Sequence, residues 1–239
     1  MRRPSLLAFL ALILALEFAD QARAGIMIAT PAGVNPGEQF TVILVTQEFF
    51  TDPSADISTY NSDVTNAANT AGVTYNGASL NWLVLGATAT TNNATTLLSS
   101  TAPVYQLNGS LLASQGTTLL TGFGPDINEY GQLEPNYPTL TGLTTIGATA
   151  VGATLGSSDF VTQGAVDGAP GWLDTGAASQ PAADPLFGYV TLTATPEPAS
   201  LTLALAGVDG LGCGCLARRR RRAAFTQRIG VHREKSQQT

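Results

Sequence analysis

From Gly25 to Thr195 the chain contains no Lys, no Arg, no His and no Cys. A fold built from this stretch has no side-chain cation for an ion pair, no disulfide, and no thiolate or imidazole to hold a metal. It must be held by apolar burial and by hydrogen bonds among neutral groups, with carboxylates as its only charged side chains. There are twelve of them: Glu38, Glu48, Asp52, Asp56, Asp63, Asp126, Glu129, Glu134, Asp159, Asp167, Asp174 and Asp184.

The same absence removes whole classes of function. Nucleic-acid binding rests on neutralising phosphates with Lys and Arg, so no nucleic-acid partner is expected. Ser-His-Asp and Cys-His catalysis lack their base, and zinc and thiol redox chemistry lack their ligands. Carboxylate chemistry survives, either as a hydrolytic acid–base pair or as a hard-oxygen site for Ca²⁺. Charged residues make up 12% of the chain, about half the usual share, while hydrophobic residues at 44% supply enough apolar surface for one core.

All the basic residues lie at the two ends. Met1-Arg2-Arg3 precedes an apolar run from Leu6 to Leu16, and Ala22-Arg23-Ala24 places small residues three and one before a cleavage point. This is the pattern of a secretory leader over 1–24, removed by signal peptidase to leave Gly25 first. At the other end, Pro196-Glu197-Pro198 is followed by a mostly apolar stretch over 201–216 and then by Arg218, Arg219, Arg220, Arg221 and Arg222. A rigid dipeptide, a segment near the length of one membrane helix and a basic stop is the order expected of a tethered C-terminus under the positive-inside rule.

These three parts in register resemble the PEP-CTERM sorting signal of bacterial proteins processed by an exosortase. The resemblance implies that Pro196, Glu197 and Pro198 are recognised by that membrane protease, as substrate residues rather than catalytic ones. It also implies export to the cell envelope, surface or extracellular matrix, with an initial inner-membrane tether by a single C-terminal transmembrane-type helix. Two features depart from the family pattern. Asp209 lies within the apolar stretch, where a charge costs about 2.5–3.5 kcal/mol, and a tail over 223–239 follows the arginines. The expected organisation is 1–24 leader, 25–194 extracellular domain, 195–222 sorting and membrane segment, and 223–239 basic cytoplasmic tail.

Within the domain, Glu38 to Thr46 alternates and is β-branched after the turn signal Asn35-Pro36-Gly37, which predicts a strand. Ile57, Tyr60, Val64, Ala67, Ala68 and Ala71 recur at three and four residues, and Gly72 stops the pattern, which predicts one amphipathic helix. Short segments punctuated by Gly, Pro and Asn follow: Trp82–Gly86, Pro103–Leu107, Gly142–Gly147 and Phe187–Thr193. The expected class is α+β, one early helix with mostly antiparallel short strands and long loops, the alternative being an all-β sandwich. The segments from Trp82 to Thr90, Ala102 to Leu112, Ile127 to Gly131, Leu140 to Gly147 and Gly171 to Thr175, in that order, look like a group of PEP-CTERM ectodomains. That group is similar to the endostatin branch of the C-type-lectin-like fold, which implies the fold but no activity.

Glu134-Pro135-Asn136 copies the triplet with which C-type lectins bind calcium and sugar, and Trp172-Leu173-Asp174 resembles the motif that follows it. On that likeness Glu134, Asn136 and Asp174 would be Ca²⁺ ligands; a Pro-Asn turn and a core tryptophan explain the same letters. Asp126, Glu129 and Glu134 are candidates for a glycosidase acid–base pair. Three readings result. The first is a non-enzymatic surface or exopolysaccharide-matrix protein without cofactor, whose partners are its processing enzymes, the membrane and extracellular polysaccharide. The second is a calcium-dependent carbohydrate-binding module, and the third a glycoside hydrolase.

Overall fold

The computed structural model describes residues 25–51, 53–134, 137–166, 170–180 and 182–196. Ala22, Ala24, Asn136, Glu197, Pro198, the expected membrane stretch over 201–216 and Arg218 to Arg222 lie outside the described residues.

Along the chain run β1 (Met27–Ile28), β2 (Gln39–Val45), α1 (Ile57–Thr70), β3 (Thr74–Tyr75), β4 (Ala78–Ser79), β5 (Leu83–Val84) and α2 (Ala94–Leu98). Then follow β6 (Val104–Gln106), β7 (Leu111–Ala113), a 3₁₀ turn (Gly116–Thr121), β8 (Pro138–Leu140), β9 (Phe160–Ala165), β10 (Gly176–Ser179) and β11 (Phe187–Thr193). The central sheet has the order β5-β11-β2-β6-β7, and two three-stranded sheets have the orders β1-β3-β4 and β10-β9-β8. The unit is therefore mixed α and β, mostly strand with few helices, and α1 sets aside the all-β alternative. Most strand pairs are antiparallel, but β1 with β3 and β2 with β6 are parallel. Among the described residues no helix is long and apolar enough to cross a membrane.

The predicted first strand becomes β2, and its place in the sheet explains why it is so uniformly apolar. Phe40, Val42 and Leu44 pack with Tyr60, Val64 and Ala68 of α1. Ile43 and Val45 point the other way, into a cluster with Leu85, Val104, Trp172 and Phe187. Period-two alternation here separates two cores rather than a core from water. Thr41, which is wholly buried, has its hydroxyl 3.1 Å from that of Thr191 on the neighbouring β11, so no polar atom there is stranded. Strand β11 pairs with β2 along its whole length, from Phe187 opposite Val45 to Thr193 opposite Gln39.

Helix α1 forms where the three-and-four spacing places it. Asp56 caps its start, accepting the Ser58 N–H at 2.9 Å. Its end is a Schellman turn: Gly72 takes φ +74°, the Val73 N–H donates to Ala68 O at 2.9 Å, and the Gly72 N–H donates to Asn69 O at 3.0 Å. The helix settles on the sheet because Gly188 offers no side chain; a Cβ there would stand 2.1 Å from Cγ1 of Val64.

Two segments differ from expectation. Gly142–Gly147 is a loop closed by the Gly147 N–H donating to Thr144 O at 2.8 Å, with Leu143 bridging Thr149 as its only strand-like contact. Its glycines at both ends take positive φ, which breaks an extended run. Trp82–Gly86 contributes only the two residues of β5, because Trp82 itself turns into the core. The hairpin β3–β4 has a local signal of its own: Asn76 and Gly77 take φ of 53° and 77°, the two-residue turn an Asn-Gly pair favours.

Candidate functional site

The carboxylates that sequence reasoning grouped as Asp126, Glu129 and Glu134 fall on one tight turn against the end of β2. Ile127 bridges Leu133, the Asn128 N–H donates to Gln132 O at 2.9 Å, and the Glu134 N–H donates to Asp126 O at 2.7 Å. Asn128 organises the interior of this turn. Its Oδ1 accepts the N–H groups of Tyr130 and Gln132, both at 3.0 Å, and its Nδ2 donates to Oε2 of Glu134 at 2.8 Å. The turn is docked onto the sheet by the Val45 N–H, which donates to Ile127 O at 3.1 Å. Asn128 belongs to no catalytic or metal-binding motif; its signal in the sequence is the short Asx turn before Gly131.

Glu129 is the chemically unusual member. It is wholly buried, its Oε2 accepts the Gln47 N–H at 2.8 Å, and its Oε1 is buried with no hydrogen-bond partner. Burial pushes its carboxyl up to about 7, its own backbone N–H and then that of Gln47 oppose the rise, and the nearby carboxylates of Glu48 and Glu134 add to it. A buried acid ordinarily finds a cation; this domain has no side-chain cation to offer, so the carboxyl holds its proton to higher pH instead.

Of the three acids in the turn only Asp126 is half-buried; the other two are withdrawn from solvent. An acid–base pair for glycoside cleavage needs both carboxyls open to a sugar, and here Glu129 is wholly buried while Glu134 is 9% exposed. Glu134, proposed as a calcium ligand, has one oxygen committed to Asn128. Asp174 lies in a separate turn, its N–H donating to Gly171 O at 3.1 Å. Among the described residues no three acidic groups lie close enough to hold a metal ion. Trp172 is a core residue, wholly buried and edge-on to Phe187 at 5.0 Å between ring centres.

Two clefts are formed wholly by described residues. One of about 250 Å³ lies between residues 27–32 and the turn at Tyr105–Gly109, and one of about 410 Å³ lies along Thr149–Ser158; neither is lined by Asp or Glu. Beside Glu48 the exposed rings of Phe49 and Tyr137 meet edge to face at 6.1 Å. Comparison with protein-family models, with curated proteins and with solved structures finds no match.

Proposed function

We propose that the chain is an exported, non-enzymatic cell-surface or exopolysaccharide-matrix protein, freed from its leader by signal peptidase and sorted by an exosortase through Pro196-Glu197-Pro198. The observation that carries this reading is where the fold ends. The compact unit closes at Ala194, whose N–H donates to Glu38 O at 2.8 Å and whose carbonyl accepts the Gly37 N–H at 2.8 Å. Two residues later Pro196 is exposed. A membrane protease reading the motif from Pro196 onward meets it just past the last strand hydrogen bonds, without having to unfold β11. The burial of Glu129 and Glu134 speaks against that one pair as a glycosidase acid and base. The likeness to the endostatin branch of the C-type-lectin-like fold belongs to the same reading, supported by α1 ahead of Trp82 and by a closing β11 paired with β2.

The test is processing in a host that carries an exosortase. Glu197→Ala and a deletion of Arg218–Arg222 should each change the size or location of the mature protein seen by immunoblot of membrane, surface and medium fractions. Wild-type size and location for both variants would refute the sorting reading.

A further inference from the structure

We infer that removal of the leader gives the folded domain its one cation, the α-ammonium of Gly25, and that this charge sits on the C-terminal end of α1 and strengthens the fold. The inference rests on the reading that cleavage follows Ala24.

A helix of fourteen residues carries a partial negative charge at its C-terminal end, ordinarily offset by Lys, Arg or His in the last turn. Helix α1 has no basic residue there, and none exists from Gly25 to Thr195 to come from elsewhere. The chain brings Gly25 to that end instead. A Cβ on Gly25 would stand 2.4 Å from the carbonyl oxygen of Gly72 and 3.2 Å from its Cα. A Cβ on Gly72 would stand 2.9 Å from the Cα of Gly25 and 3.8 Å from its nitrogen. Gly72 is the residue that terminates α1, so two glycine backbones interlock directly at the helix end, and neither position has room for a side chain.

The contact is built in rather than incidental. The Thr74 N–H donates to Ile26 O at 2.9 Å, and β1 runs parallel to β3 with Met27 opposite Thr74, which fixes the approach of Gly25, the residue before Ile26. Gly25 is exposed, so a charged amine there stays hydrated and keeps its proton to about pH 8. Titratable groups on the surrounding elements are Tyr60 and Asp63 in α1, Tyr75 on β3, and Glu129, Tyr130 and Glu134 in the turn whose Gly131 faces Ile26. None is a cation that competes with an ammonium; the carboxylates among them attract it, while Glu129, its carboxyl pushed up to about 7, is largely neutral at pH 6.

Before cleavage the nitrogen of Gly25 is a neutral amide; afterwards it is a cation. A helix-end charge of this kind is worth roughly a two- to fivefold change in the folding equilibrium constant at low salt. Because the amine gains an attraction on folding, its contribution is present below about pH 8 and is lost as pH rises through the folded-state value.

The experiment compares the cleaved chain, Gly25 to Thr239, with the same chain acetylated at Gly25, in detergent and 0.01 M salt, by urea denaturation from pH 6 to pH 10. The free amine should have the larger folding constant at pH 6, and the difference should vanish at pH 10 and shrink in 1 M NaCl, where the Debye length is about 3 Å. Equal curves at pH 6 would overturn the inference. Gly25→Ala, whose Cβ meets the Gly72 carbonyl, should show a smaller effect of acetylation; an undiminished effect would overturn the assigned contact. N-terminal sequencing of exported protein tests the cleavage reading separately: Gly-Ile-Met-Ile supports it, and any other start overturns the maturation step whatever the melts show.

Discussion

Replacing Glu129 with Gln should flatten the pH dependence of the domain's stability. The carboxyl of Glu129 rises from its ordinary 4.5 to about 7 on folding, and at about 1.4 kcal/mol per pH unit this is worth roughly 3 kcal/mol. The sign follows from which state holds the proton. Below about pH 4.5 both states are protonated and the contribution is complete. Between there and about pH 7 the unfolded chain ionises first, so stability falls as pH rises; above about 7 the contribution is gone. Gln keeps an oxygen for the Gln47 N–H but places an amide N–H₂ where Oε1 has no partner, a cost on the order of 1 kcal/mol. The variant should therefore be slightly less stable than wild type at pH 4.5 and about 2 kcal/mol more stable at pH 8. Urea denaturation at fixed ionic strength over that range measures both. Other acids titrate too: backbone N–H groups of Asn35 and Ser58 hold Glu38 and Asp56 low, and burial raises Asp184. Their effects cancel in the difference between the two proteins. Parallel curves for wild type and variant would refute the assignment of the slope to Glu129.

Asn128→Asp should destabilise the 126–134 turn, since a carboxylate cannot donate to Glu134 and would face it as a like charge; the loss should exceed about 2 kcal/mol at pH 8 and be smaller at pH 4 in the same assay. Gly188→Ala puts a methyl 2.1 Å from Val64 and should cost about 1–3 kcal/mol of stability, with Val64→Ala in the same chain recovering part of it. Calcium should raise the melting temperature no more than Mg²⁺ or NaCl of matched ionic strength; a calcium-specific rise that disappears in Glu134→Gln or Asp174→Asn would establish the lectin-like site instead.

What the sequence determined by itself is the set of forces available. With no side-chain cation and no thiol from Gly25 to Thr195, the domain had to rest on apolar packing and neutral hydrogen bonds, and its acids had to be solvated, capped by N–H groups or protonated. Local signals also placed what is local: the β-branched run of β2, the three-and-four spacing of α1 with its stop at Gly72, and the apolar run that became β11. Tertiary structure decided everything that depends on distant partners. The unbroken apolar run Val42–Val45 suits burial on both faces, but nothing local names what covers them, α1 on one side and Trp172 on the other. Nor does the spacing of Glu129 and Glu134 tell a catalytic pair from two acids folded inward, because both patterns use the same letters and only solvent access separates them. The meeting of Gly25 with Gly72 was equally invisible: it needs the parallel pairing of β1 with β3, and a parallel register is set by the packing that brings two remote segments together rather than by a turn between them.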